Sequence, residues 1–159
     1  MMKKKVVLLL LSVLALVCSC DLLDCTQGDV SYLRIELYDL AGNKVMLPDT
    51  LTISAKGTDN VLVNRNVNTK ELLLPLSYHA PADTFVLHYY GKTYSLEDTL
   101  YVQKSNDLYF ESPDCPTLMM HTIQGASCAD VFLASVEVMS NKVNFEEVVH
   151  LKLVVKGDI

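Results

Sequence analysis

The chain has 159 residues, half of them hydrophobic, with a formal charge of −6 at pH 7. That acidity argues against a nucleic-acid partner, since phosphate binding needs Lys and Arg to neutralise the backbone, and against docking on anionic lipid head groups. The length suits one domain with a real hydrophobic core.

Lys3 to Lys5 make a basic start, and Val6 to Val17 form an apolar run that leads into Cys18-Ser19-Cys20-Asp21. A run of twelve residues, eleven of them apolar, falls short of the ~20 needed to span a bilayer as a helix. A basic flank before a run of this length is the secretory pattern. The small residues before a Cys point to a bacterial lipoprotein signal, with residues 1–19 removed. Cys20 follows the small Ser19, whereas Cys18 follows the bulky Val17. Cys20 is therefore the expected lipidation site, although an ordinary cleaved signal would also use these residues. Loss of Lys3, Lys4 and Lys5 takes the formal charge from −6 to −9. Three acyl chains on one Cys hold a membrane stably without a transmembrane helix.

Residues 20–29 are the expected anchor and tether, and residues 30–159 a single domain. Leu33, Ile35 and Leu37 alternate with Arg34, Glu36 and Tyr38, the period of a half-buried strand. Asp39 to Lys44 is a turn in which Gly42 and Asn43 tolerate positive φ. Val45 to Leu47 is extended and ends at Pro48. Leu51, Ile53 and Ala55 alternate next, and Gly57 to Asn60 turns the chain into Val61 to Val63. Leu72, Leu74 and Leu76 alternate before a loop at residues 78–83. Phe85, Leu87 and Tyr89 form the next inward set, closed by Gly91-Lys92. Tyr94 to Gln103 is one extended segment, and Asn106-Asp107 is expected to turn it into Leu108 to Phe110. Leu118 to Ile123, Val131 to Met139 and Val148 to Val155 follow. Ala126 to Ala134 could support a short helical turn. Nine or ten short strands about ten residues apart predict an all-β fold, an antiparallel β-sandwich of immunoglobulin-like or related type.

Three cysteines remain beyond the anchor: Cys25, Cys115 and Cys128. Exported domains live where disulfides persist, and three thiols allow one bridge and one leftover. Cys25–Cys115, Cys115–Cys128 and three reduced thiols all stay open on spacing. No metal-ligand spacing occurs, and no cofactor is expected.

Catalytic patterns are weak. His79, His88, His121 and His150 are widely separated. Gly125-Ala126-Ser127-Cys128-Ala129 has Ala where a nucleophile elbow needs its second Gly. Glu146-Glu147 is a solvated carboxylate pair. Asp39, Asp59, Asp83 and Asp107 lack calcium-loop spacing and fit turn amides better. The domain is read as non-enzymatic. Tyr89, Tyr90, Tyr94, Tyr101 and Tyr109 fall within twenty-one positions. An exposed face of Tyr90, Tyr94, Tyr101 and Tyr109 could stack sugar or peptide, although cross-strand packing with hydroxyls at the surface is the simpler account of such residues.

Several stretches together resemble a family of small Bacteroidetes lipoproteins of unknown function. They are Asp49-Thr50-Leu51-Thr52-Ile53, Gly57 to Asn64, Leu74-Pro75-Leu76-Ser77-Tyr78, Ser112-Pro113-Asp114-Cys115-Pro116, His121 to Gly125 and Asn141 to Asn144. The resemblance covers nearly the whole mature chain and implies fold, export and anchor, but no activity. It also implies a Cys25–Cys115 bridge, because Cys128 departs from the family pattern. The expected role is a non-catalytic envelope module that binds an envelope protein or supports an assembly. The alternative is a surface glycan-binding or adhesion module. Outer-membrane attachment is expected. Asp21 and Asp24 are split by Leu22-Leu23 and so match a surface-export signal only in part, which favours the periplasmic face.

Overall fold

The computed structural model describes Cys25 and residues 30–157. The leader, both anchor candidates Cys18 and Cys20, and the rest of the tether lie outside the described residues. Ten strands and no helix make up the described chain. They are β1 (Tyr32–Tyr38), β2 (Thr50–Ala55), β3 (Val61–Asn66), β4 (Glu71–Pro75), β5 (Ala82–Tyr90), β6 (Ser95–Tyr109), β7 (Leu118–Cys128), β8 (Leu133–Val138), β9 (Lys142–Val143) and β10 (Leu151–Val155).

Two sheets form a sandwich-like fold. One is ordered β4-β1-β10-β8 and the other β3-β2-β5-β6-β7-β9. Side chains alternate across a strand, so each apolar parity class lands on one face. Leu33, Ile35 and Leu37 of β1 and Leu151 and Leu153 of β10 are buried, as are Leu51 and Ile53 of β2 and Phe85, Leu87 and Tyr89 of β5. They join one core cluster between the sheets. Fully burying one such side chain contributes roughly 1.5–3 kcal/mol.

Pairing is antiparallel throughout, except that β1 runs parallel to β10, with Ile35 opposite Leu151. The first and last strands are joined by the whole domain, so no short turn constrains their direction. His150 extends this pair. Its N–H donates to the Arg34 carbonyl, and its Nδ1 accepts from the Arg34 N–H at 2.9 Å.

Four local expectations are corrected. Asn106-Asp107 does not turn: β6 runs straight through it, opposite His121 and Met120 of β7. Both side chains are bonded inside the sheet, Asn106 to Lys104 and Asp107 to Thr122 Oγ1. Residues 126–134 form no helical turn. Ala126 to Cys128 complete β7, and β8 begins at Leu133. Val45 to Leu47 form no strand: the stretch has one isolated bridge, Leu47 to Thr69, and Lys44 just before it has another to Tyr38. The last strand starts at Leu151 rather than Val148.

Candidate functional site

Strand β6 presents two charged side chains to the interior. Leu96, Asp98, Leu100, Val102 and Lys104 share one parity, and Asp98 and Lys104 are each 1 % exposed. Charges this deep persist only when paired or fully hydrogen-bonded.

Lys104 lies beneath the loop between β4 and β5, where the chain crosses from one sheet to the other. Its Nζ donates to the Ser77 carbonyl at 2.6 Å, the Ala80 carbonyl at 2.8 Å and Asn106 Oδ1 at 2.6 Å. The Asp83 carboxylate is 3.4 Å away. Burial pushes the ammonium below its ordinary value, and Asp83 opposes that shift. Three acceptors use all three ammonium protons, which favours the charged form. Asp83 also accepts the Ser77 N–H, and Asn106 Nδ2 donates to the carbonyls of Tyr78 and Ala80.

His121 completes this cluster. Its Nδ1 is 2.8 Å from Asn106 Oδ1, an oxygen with no proton, so Nδ1 carries the hydrogen. Nε2 is buried without a partner, as is Ser77 Oγ. Burial first, and the Lys104 charge second, push His121 down to about 4. The Tyr78 ring stacks over it at 6.2 Å. His150 is also held below its usual value, chiefly by burial and further by Arg34, with the Lys142 backbone opposing.

A cleft of about 530 Å³ lies beside this cluster, with Lys56, Asn60, Leu62, Leu76, Ser77 and Asp83 in its lining. Lys104 is directed away from chemistry, since every proton is donated to the fold. No hydrogen bond joins Ser77 Oγ to His121, so the two make no nucleophile–base pair. Among the described residues no group of three His, Cys, Asp or Glu side chains is placed to hold a metal ion.

Asp98 does for the β7–β8 crossover what Lys104 does for β4–β5. Oδ2 accepts the N–H groups of Val131, Phe132 and Leu133 at 2.8 to 2.9 Å, and Oδ1 accepts those of Thr99 and Ala129. The crossover includes Asp130 at φ 64°, a left-handed conformation Asp tolerates better than most residues. Neither Asp98 nor Lys104 stands out by residue type alone. The available signal was parity, because both interrupt an apolar period-two face.

The four tyrosines do not assemble into a platform. Tyr94 turns inward, donating to Asp49 Oδ2 at 2.5 Å and packing on Tyr89 at 5.6 Å. Burial and then Asp49 raise its hydroxyl above the ordinary tyrosine value. Gly91 makes room for this ring: a Cβ there would lie 2.6 Å from Tyr94 Cε1. Tyr109 packs on Phe145, while Tyr90 pairs across to Ser95 and Tyr101 to Thr84. Ser95 and Tyr101 are six positions apart on β6, so Tyr90 and Tyr101 are separated by roughly 20 Å.

Cys25 and Cys115 are joined by a disulfide with Cα atoms 5.8 Å apart, and Cys128 is free. The Cys128 thiol is half-buried, and burial pushes it up from its usual value.

Residues 50–155 match the model of a family of unknown function, DUF6452. The chain belongs to that family. The match takes in β2 to β10, with Asp98, Lys104 and Cys115, and stops short of β1 and Cys25. No curated protein and no solved structure matches the chain.

Proposed function

We propose that this DUF6452 member is a lipid-anchored lipoprotein of the cell envelope, with Cys20 carrying the lipid. Its domain is a non-catalytic module that binds an envelope protein or supports an assembly. The observation that carries this reading is the Cys25–Cys115 disulfide. Such bridges belong to oxidising compartments, the destination that the leader specifies. The buried charges support the non-catalytic half of the reading, because both spend their hydrogen bonds within the fold, mainly on backbone of the crossover loops.

The outer membrane is the proposed site of attachment, and the partial surface-export signal at Asp21 and Asp24 favours its periplasmic face. Labelled fatty acid should enter the wild type and not Cys20→Ala, which should leave the membrane fraction. Continued labelling of Cys20→Ala would move the anchor to Cys18. A pull-down from native membranes should recover an envelope protein. Binding in a glycan screen with no protein recovered would favour the adhesion reading instead. Protease shaving of intact cells tests the leaflet: digestion of the domain while a periplasmic control survives would place it outside.

A further inference from the structure

We propose that the end of the sandwich around the β6–β7 connection seats in the lipid interface of the membrane that holds the anchor. This rests on the lipidation reading above. Cys20 and Cys25 are five residues apart, so the tether reaches at most about 18 Å. Cys25 is then bonded to Cys115, in the connection between β6 and β7. The disulfide thus fixes which end of the domain faces the membrane.

That end carries exposed apolar side chains. Leu108 is 74 % and Phe110 61 % exposed, the first and third most exposed large apolar side chains among the described residues. They share one parity where β6, the longest strand, runs out toward Cys115. Tyr32 and Tyr78 are exposed beside them. One recess is lined by Tyr78, Leu108, Pro116 and Met119, and a second by Val30, Tyr32 and the same Tyr78. The entry of β1 is tied to this end, because Ser31 Oγ donates to the Met119 carbonyl at 2.8 Å. Aliphatic side chains with tyrosines around them suit the boundary between head groups and acyl chains. No Lys or Arg lies between Ser105 and Thr117, whereas Asp107, Glu111 and Asp114 do. The surface therefore fits zwitterionic lipid and not an anionic one.

The chain contains no Trp, so one introduced Trp reports its own surroundings. Full-length lipidated Phe110→Trp, carrying labelled fatty acid, is reconstituted in phosphatidylethanolamine–phosphatidylcholine vesicles with and without brominated acyl chains. Leu40→Trp, at an exposed turn beyond the opposite end of β1, is the control. Brominated lipid should quench Phe110→Trp at least about twofold and leave Leu40→Trp unchanged. Equal emission from both variants on vesicle-bound, labelled protein would overturn the proposal while leaving the anchor intact. A blue-shifted Phe110→Trp that bromine does not quench would also overturn it, assigning the patch to a second copy or a protein partner. Protein that carries no label and does not bind vesicles would remove the anchor and the proposal together.

Discussion

Asp98 and Lys104 stand six positions apart on one face of β6 and carry opposite charges, yet they solve the same problem. A crossover between sheets leaves backbone groups without ladder partners, and buried backbone groups must be paired. The β7–β8 crossover turns its N–H groups inward, and a carboxylate receives them. The β4–β5 crossover turns its carbonyls inward, and an ammonium supplies the protons. The sign of each charge follows from which backbone atoms the loop presents. The sites differ in self-sufficiency. Asp98 is balanced by backbone alone, whereas Lys104 has a counter-charge in Asp83 and a side-chain network in Asn106 and His121. A buried charge in a domain of unknown activity invites a catalytic reading. Here the hydrogen-bond inventory assigns both charges to loop fastening.

The largest expected effect comes from removing the carboxylate. Asp98→Ala leaves five N–H groups without that acceptor. At about 1–3 kcal/mol per buried group, with water relieving the outer ones, the loss should be about 5 kcal/mol. Denaturant titration measures it, and a loss under about 1 kcal/mol would break the comparison. Lys104→Met should cost about 4 kcal/mol by leaving Asp83 charged and unpaired. Lys104→Met with Asp83→Asn should cost less than Lys104→Met alone, because the orphan charge is gone while Ser77 keeps an acceptor. A double variant worse than the single would show that the charge of Asp83 is not what Lys104 neutralises.

The Lys104 cluster should also be acid-sensitive. His121 is about 4 in the fold and about 6.5 unfolded, so below pH 6.5 the unfolded chain binds a proton that the native state refuses. Stability contributed by neutral His121 is present above pH 6.5 and falls by about 3 kcal/mol as the pH drops to 4. His150 shifts in the same direction and adds to the slope. Unfolding midpoints of wild type and His121→Phe across this range check it. The variant should show the shallower slope, and equal slopes would remove His121 from the account. The smallest effect should be Cys128→Ser, within about 0.5 kcal/mol. Its Sγ reaches the Leu133 carbonyl only at 3.9 Å, too weakly to hold the loop in place of Asp98.

The apolar framework was legible because period-two alternation encodes burial directly: Leu33, Ile35 and Leu37, and Phe85, Leu87 and Tyr89, all face the core. Where turn-forming residues met other demands, local chemistry misled. Asn106 reads as a turn residue, but its amide serves Lys104, His121 and two carbonyls, so the strand continues. Asp98 lies within a segment that reads as extended, yet nothing local shows that its crossover partners lie more than thirty positions away. The parallel β1–β10 pair and the tyrosine positions depend on strand order, which alternation does not encode. Spacing likewise left three cysteine arrangements open, since the partners Cys25 and Cys115 are 90 positions apart.

Hydrogen exchange on Asp98→Asn and Lys104→Met tests most directly that each charge fastens its own crossover. Asp98→Asn should lose protection at Val131, Phe132 and Leu133 and keep it at Ser77, and at Ala129, whose N–H also donates to the Thr99 carbonyl. Lys104→Met releases the Ser77 and Ala80 carbonyls, so the loop should open more often and the Ser77 N–H, which donates to Asp83, should lose protection while residues 129–133 stay unchanged. Loss of protection at both crossovers in either variant, through openings of lower free energy than global unfolding, would contradict this assignment.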